Sequence, residues 1–270
     1  PRFGTTTVVT TLSGGRSQVF MERFHAVAQA ALKTEGARME MLHLEGPFLA
    51  LPGAGDPDVV GPGDVGVLEE IMDACNGQLR AMSVSPDQEH ILPVIETLRE
   101  HNARPFITHT RAGVAETKRA IEAGARHATH FYDVFHLPGD ADRGVRPVGA
   151  VEAILADPRC TVDFVCDGVH VDPTAVASAV ATKGSRGVAL ITDANSASGL
   201  PPGMYTERVR ERRFRVFEDG SCRIHAPGTI RHGMLAGSGL TMDKGICNLR
   251  RWLALPDEEI WAMGTSVPAA

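Results

Sequence analysis

The chain has 270 residues, which suits one large domain, since single α/β barrels commonly reach about 250 residues. Hydrophobic residues make up 43%, enough for a substantial core, and a net charge of −6 argues against nucleic acid or an anionic membrane as partner. No run of about 18 apolar residues predicts a transmembrane helix, and "PRFGTTTVVTTL" lacks the charged start and apolar stretch of a signal peptide.

Taken in chain order, one pattern recurs: a short apolar or β-branched run, a loop, then a helical stretch. "TTTVVTTL" (5–12) leads to a helix within 17–36, and "MEMLHLEG" (39–46) to a Gly/Pro/Asp-rich loop and a helix within 63–77. "QLRAMSVS" (78–85) leads to a helix over 86–102, "RPFITHT" (104–110) to one over 113–125, and "HATHFYDVF" (127–135) to one over 148–158. "TVDFVCDGVH" (161–170) leads to a helix opened by Asp172 as N-cap and Pro173 at N1. "GVALITDAN" (187–195) leads to an irregular segment. Residues 204–230 then alternate like a β-hairpin insertion with a turn near Asp219–Gly220, and residues 237–255 and 256–266 read as helices.

Strands alternating with helices predict a parallel sheet with right-handed crossovers. Seven such units fit a TIM-type (β/α)8 barrel lacking one unit, in a single domain over 1–270. The five cysteines are an odd number without a CxxC pair and read as reduced thiols of a cytoplasmic protein.

In such barrels the chemistry gathers at the C-terminal strand ends. Those ends carry Glu45, His109, His130, Asp167 with His170, and Asp193. A buried carboxylate is costly unless paired or bound to a cation, so Glu45 at the end of an apolar strand calls for a partner. Two imidazoles and one carboxylate with an open fourth position form the ligand set of a catalytic zinc site, and such an ion would offset the desolvation of Glu45. Water acidified by such an ion needs a base, and Asp193 after "VALIT" has the right type and place. His43 lies on the same strand face as Glu45 and either supports the site or packs in the core.

Six segments, "LHLEGPFL", "ITHT", "AIEAGARHATHFYDV", "VCDGVHVDP", "LITDA" and "LAGSGLTM", together resemble the N-acetylglucosamine-6-phosphate deacetylases of the amidohydrolase superfamily, in the family's order over residues 42–242. The tail "IWAMGTSVPA" resembles the family's last barrel helix. The resemblance implies a divalent ion, Zn2+ first and Fe2+, Mn2+ or Co2+ as alternatives, on Glu45, His109 and His130, with Asp193 as general base and acid. It implies His170 at the substrate amide or sugar and the backbone of Leu235, Ala236 and Gly237 lining the sugar. Arg146, with Arg143 as the other candidate, would meet the phosphate beside Asp133 and Val134. The implied reaction is hydrolysis of the N-acetyl group of N-acetylglucosamine 6-phosphate to acetate and glucosamine 6-phosphate, in a protein that can form homodimers. The alternatives are a deacetylase acting on another N-acyl sugar or amine, and an inactive, truncated metal-binding barrel.

Three departures from the family pattern stand out. The chain opens at what reads as barrel strand 2, with strands 2–8 present and the first strand and a small β-sandwich absent. Gly55 stands where the family has a histidine. Asp133–Val134 replaces an Asn-Ala pair, placing a carboxylate where a phosphate is expected.

Overall fold

The computed structural model describes residues 4–33, 35–139, 143–207 and 212–269. The chain forms two compact units, Pro1–Thr161 and Val162–Ala270. Among the described residues no helix is long and apolar enough to cross a membrane, and all five cysteines are free thiols.

The first unit alternates strand and helix: β1 (Thr7–Ser13), α1 (Gln18–Ala31), β2 (Arg38–Phe48), α2 (Val65–Ala74), β3 (Leu79–Val84), α3 (Ile91–Glu100), β4 (Arg104–Ile107), α4 (Val114–Ala123), β5 (His127–Ala128) and α5 (Ala150–Ala156). Its strands pair in parallel and in chain order, β1 to β2, β2 to β3, β3 to β4 and β4 to β5. This is the α/β class read from the alternation. Leu42, Leu44, Phe48, Met82, Val84 and Ile107 are buried along the strands. The helices bury residues at helical spacing, as in Leu68 and Ile71 of α2 or Val94, Ile95 and Leu98 of α3. Each such side chain is worth about 1.5–3 kcal/mol when fully removed from water.

The second unit carries the parallel pair β6 (Thr161–Val165) and β7 (Val188–Ile191), with α6 (Pro173–Lys183) between them. A four-stranded antiparallel sheet follows, in the order β11-β10-β9-β8, built from β8 (Gly203–Glu207), β9 (Arg212–Val216), β10 (Ser221–Ile224) and β11 (Leu235–Ser238). Phe214, Val216, Cys222 and Ala197 form its small buried core, with Tyr205 packed against it. Helices α7 (Met242–Trp252), α8 (Asp257–Met263) and α9 (Ser266–Ala269) close the chain. The Asp172 carboxylate accepts from the Thr174 amide at 2.8 Å with Pro173 at the first helical position, as read from the sequence. The hairpin turn at 219–220 is present between β9 and β10, while part of the predicted insertion, residues 208–211, lies outside the described residues.

Three expectations shift. The strand predicted over 127–135 ends at Ala128, because positive φ at His130 (34°), Tyr132 (75°) and Val134 (55°) curls the backbone out of the extended region. The helix predicted from residue 86 begins at Ile91, because His90 at φ 57° interrupts it. Leu235–Ser238, partly read as the start of a helix, is a strand: Arg223 and Ser221 of β10 pair with Leu235 and Ser238.

Candidate active site

In the first unit, β2 carries Glu45 to the sheet edge. Gly46 follows at φ 95° inside the irregularity of β2 between its pairings at Glu45 and Phe48, and a Cβ there would sit 2.8 Å from the Val59 Cβ, so glycine is required at this point. His109 and His130 stand just beyond the ends of β4 and β5, both at positive φ (49° and 34°). Non-glycine residues in that region are strained, and such strain gathers at functional sites.

The three side chains meet at one point. The Nε2 atoms of His109 and His130 lie 3.1 and 3.0 Å from the same Glu45 oxygen, Oε1. All three ligand atoms fall within 4.8 Å of one another. The imidazoles are nearly perpendicular, at 78°, with ring centroids 5.1 Å apart. Both histidines are buried, and the Glu45 side chain is 21% exposed. Burial pushes the Glu45 carboxyl upward, but the charges and hydrogen bonds of the two imidazoles outweigh it and hold it well below the usual carboxylate range.

The surroundings decide what these atoms can hold. His109 Nδ1 lies 2.7 Å from the Leu51 carbonyl oxygen. A carbonyl only accepts, so Nδ1 carries the proton and Nε2 of the neutral ring presents a lone pair. That lone pair faces a carboxylate oxygen. The approach calls for positive charge among the three atoms, supplied either by a second proton on an imidazole or by a metal ion, and a backbone carbonyl on the far nitrogen is the usual orienting partner of a metal-bound histidine. A tetrahedral zinc site with bonds near 2.0–2.1 Å separates its ligand atoms by about 3.4 Å, close to the spacing here. The donor set and its tautomer fit a divalent ion.

His43 settles into the core. Its Nε2 lies 2.9 Å from Ser83 Oγ and its Nδ1 3.1 Å from Thr11 Oγ1, so the ring ties β2 to both neighbouring strands. Several features of the site have no sequence signature of their own. Gly53 is packed so closely that a Cβ would lie 2.8 Å from His109 Cε1. Asp87 accepts from the Thr110 hydroxyl and from the Arg111 amide (3.3 Å), fixing the loop after His109. The Leu51 carbonyl is backbone and invisible to any reading of side-chain types; "LPG" marks only a turn.

Asp133 and Val134 are half-buried just after His130, and the Val134 carbonyl accepts from the Thr110 amide at 3.1 Å. Arg143 and Arg146 are exposed between β5 and α5. Gly55 lies in a tight turn, its amide donating to the Pro52 carbonyl at 2.8 Å.

In the second unit, Asp193 follows β7 at φ 44°, and its carbonyl accepts from the Ser238 amide at 2.7 Å. This binds the Asp193 backbone to β11, the strand of Leu235, Ala236 and Gly237. Asn195 adds a side-chain bond to the Ala236 carbonyl. His170 donates from Nδ1 to Asp167 Oδ2 at 2.7 Å. Burial raises the Asp167 carboxyl, but the His170 bond and charge and two backbone amides hold it below the usual range.

No family model matches the chain. An N-acetylglucosamine-6-phosphate deacetylase of Vibrio furnissii is 32% identical over 254 residues, covering 90% of this chain and 59% of that protein. An N-acetylgalactosamine-6-phosphate deacetylase of Escherichia coli is 29% identical over 238 residues, covering 87% of this chain and 59% of that one. A crystal structure of N-acetyl-D-glucosamine-6-phosphate deacetylase from Mycobacterium smegmatis, in complex with N-acetyl-D-glucosamine-6-phosphate, matches with a TM-score of 0.83 and 28% identity. It is covered over 65% of its length by 97% of this chain. The chain thus spans under two thirds of the length of these relatives. Motif order, sequence identity and backbone agree that the chain is a relative of the N-acetylglucosamine-6-phosphate deacetylases of the amidohydrolase superfamily.

Proposed function

We propose that the chain carries the catalytic region of a metal-dependent deacetylase that hydrolyses the N-acetyl amide of N-acetylglucosamine 6-phosphate to glucosamine 6-phosphate and acetate. The observation that carries the reading is the convergence of Glu45, His109 and His130, with the His109 tautomer fixed by Leu51. These three residues would hold a divalent ion, zinc first, with iron(II), manganese or cobalt as alternatives. Bound there, the ion polarises the acyl oxygen and acidifies water.

The chain's own residues would do the rest. Asp193 takes a proton from the attacking water as its oxygen bonds to the acyl carbon. The same carboxyl then gives that proton to the nitrogen as the C–N bond breaks, releasing acetate and the amine. His170 contacts the substrate amide or sugar. The backbone of Leu235, Ala236 and Gly237 lines the sugar, and Arg146 meets the phosphate beside Asp133 and Val134. The motifs in which these residues stand support the assignments. In this reading both units belong to one TIM-type barrel domain of a cytoplasmic enzyme. A homodimer is part of the same proposal.

The E. coli relative named for N-acetylgalactosamine 6-phosphate favours a second reading, the C4-epimeric sugar as substrate. Acetate release from both sugars, each with and without the 6-phosphate, tests the proposal, with bound metal measured on the same sample. Metal-dependent release that requires the phosphate supports it. Release from unphosphorylated sugars alone would replace it with another N-acyl substrate. A metal-loaded, folded chain with no release from any of them would leave an inactive metal-binding protein.

A further inference from the structure

We propose that Asp167 is a positioning residue that fixes the tautomer and ring orientation of His170, so that His170 presents its Nε2 to the substrate. The proposal rests on the reading of His170 as a substrate contact. Its structural part stands on geometry within the second unit.

Asp167 directly follows buried Cys166, beyond the end of β6, and its side chain is only 10% exposed. Its two oxygens have separate tasks. Oδ1 accepts from the amides of Val169 (2.8 Å) and His170 (3.0 Å). Oδ2 accepts from His170 Nδ1 at 2.7 Å. The amides are fixed by the turn, so the carboxylate cannot rotate without losing two bonds. The imidazole, 3% exposed, is therefore aimed from a rigid base. An ionised carboxylate can only accept, so in the neutral ring the proton sits on Nδ1 and Nε2 carries the lone pair. If the ring takes a second proton, that proton arrives at Nε2, and the charge is stabilised by the carboxylate behind it. This is the orienting role that a carboxylate plays behind a catalytic histidine in hydrolases of unrelated fold. A helix-cap role is not open to Asp167, since Asp172 caps α6.

Asp167→Asn separates positioning from mere support. The two amides require an acceptor, so the Asn oxygen takes the Oδ1 place and its NH2 group faces His170 Nδ1. A donor there forces Nδ1 to accept, moving the ring proton to Nε2. Shape and the amide bonds are retained, and only the tautomer inverts.

The test is a two-bond 1H–15N correlation spectrum of the full chain labelled with 15N-histidine, at a pH where the rings are neutral. The signal of His170 among the 11 histidines is identified by its loss in His170→Gln. The expected result is an Nδ1-protonated ring in the wild type and an Nε2-protonated ring in Asp167→Asn. Acetate release should fall roughly 10²-fold or more in that variant, with bound metal unchanged. An Nε2-protonated ring in the wild type overturns the proposal. So does a tautomer that Asp167→Asn leaves unaltered. If His170→Gln keeps wild-type turnover, the substrate-contact reading of His170 fails, whatever the tautomer spectra show about Asp167.

Discussion

His109 donates from Nδ1 to the Leu51 carbonyl at 2.7 Å, and that bond dictates what its other nitrogen can do. With one proton held on Nδ1, Nε2 is the atom turned on Glu45 Oε1 3.1 Å away, and His130 Nε2 approaches the same oxygen at 3.0 Å. The cluster should gain stability from a cation. At a free ion concentration 100 times its dissociation constant the gain is about 2.7 kcal/mol. For a chain of this size that corresponds to a rise in Tm of about 5–10 °C. Melting curves of chelated protein, with and without added zinc, measure it. Glu45→Gln should abolish both the rise and the bound metal, since the carboxylate charge is part of the attraction. A Glu45→Gln protein that still binds zinc at wild-type affinity would remove Glu45 from the ligand set.

Gly53 offers a second handle on the same ring. Its φ is 53°, and a Cβ there would lie 2.8 Å from His109 Cε1 and 3.2 Å from Val134 Cγ2. Gly53→Ala therefore meets two costs. The left-handed backbone costs roughly 1–2 kcal/mol for an L side chain, and the methyl collides with the imidazole that bonds to Leu51. The expected outcome is a Tm lowered by several degrees and metal bound about tenfold more weakly. Calorimetry and metal titration on one preparation check both, and unchanged metal affinity would show that the ring is held by other contacts.

The sequence made the main framework legible because its signals are local. Alternating apolar runs and Gly/Pro loops mark strand and helix, and Asp172–Pro173 marks a helix start with its own chemistry. Glu45, His109 and His130 could be grouped because chemistry-bearing residues at strand ends are rare in an otherwise apolar pattern. The shortened β5 was not legible. "HATHFYDVF" has strand composition throughout, and only tertiary contacts, such as the Thr110 amide bonding to the Val134 carbonyl, draw His130, Tyr132 and Val134 into positive φ. β11 was missed for a similar reason, since its partners on β10 lie more than ten residues away and its glycine weakens any strand pattern. His43 looks like a site residue by type and strand face, yet two hydroxyls from β1 and β3 occupy both its nitrogens.

Cys75 makes stability depend on alkaline pH. Burial raises its thiol from 9.0 to about 12. Between those values the unfolded chain has lost the proton while the folded chain keeps it, so the unfolded state binds fewer protons and stability must fall as pH rises. The slope from this one group approaches about 1.4 kcal/mol per pH unit within the window. Below pH 9 both states hold the proton and the contribution is flat. Urea denaturation at several pH values between 8.5 and about 11, comparing wild type with Cys75→Ala, isolates the effect from other titrating groups. The variant should start less stable, because a cavity replaces the sulfur, and decline more gently. Parallel declines would mean that Cys75 titrates near its ordinary value.

Asp193 is the residue on which the proposed proton transfers depend, and its backbone makes the decisive substitution unusually clean. It sits at φ 44°, a region that asparagine tolerates better than almost any residue except glycine. Its carbonyl, which accepts from the Ser238 amide, is untouched by a side-chain change. Asp193→Asn should therefore fold with a Tm close to wild type, and with Glu45, His109 and His130 unaltered it should keep bound metal. As general base and acid, however, the residue would be lost. General acid–base assistance is worth roughly 10²–10⁴-fold, and one carboxyl serving both transfers belongs at the upper end. A turn-forming role predicts the opposite, because asparagine fits a left-handed turn as well as aspartate does. Metal content, Tm and acetate release measured on one Asp193→Asn preparation separate the two. A metal-loaded, folded variant with near wild-type turnover ends the catalytic assignment, whereas one that has lost its turnover alone fixes Asp193 as the group that moves the proton.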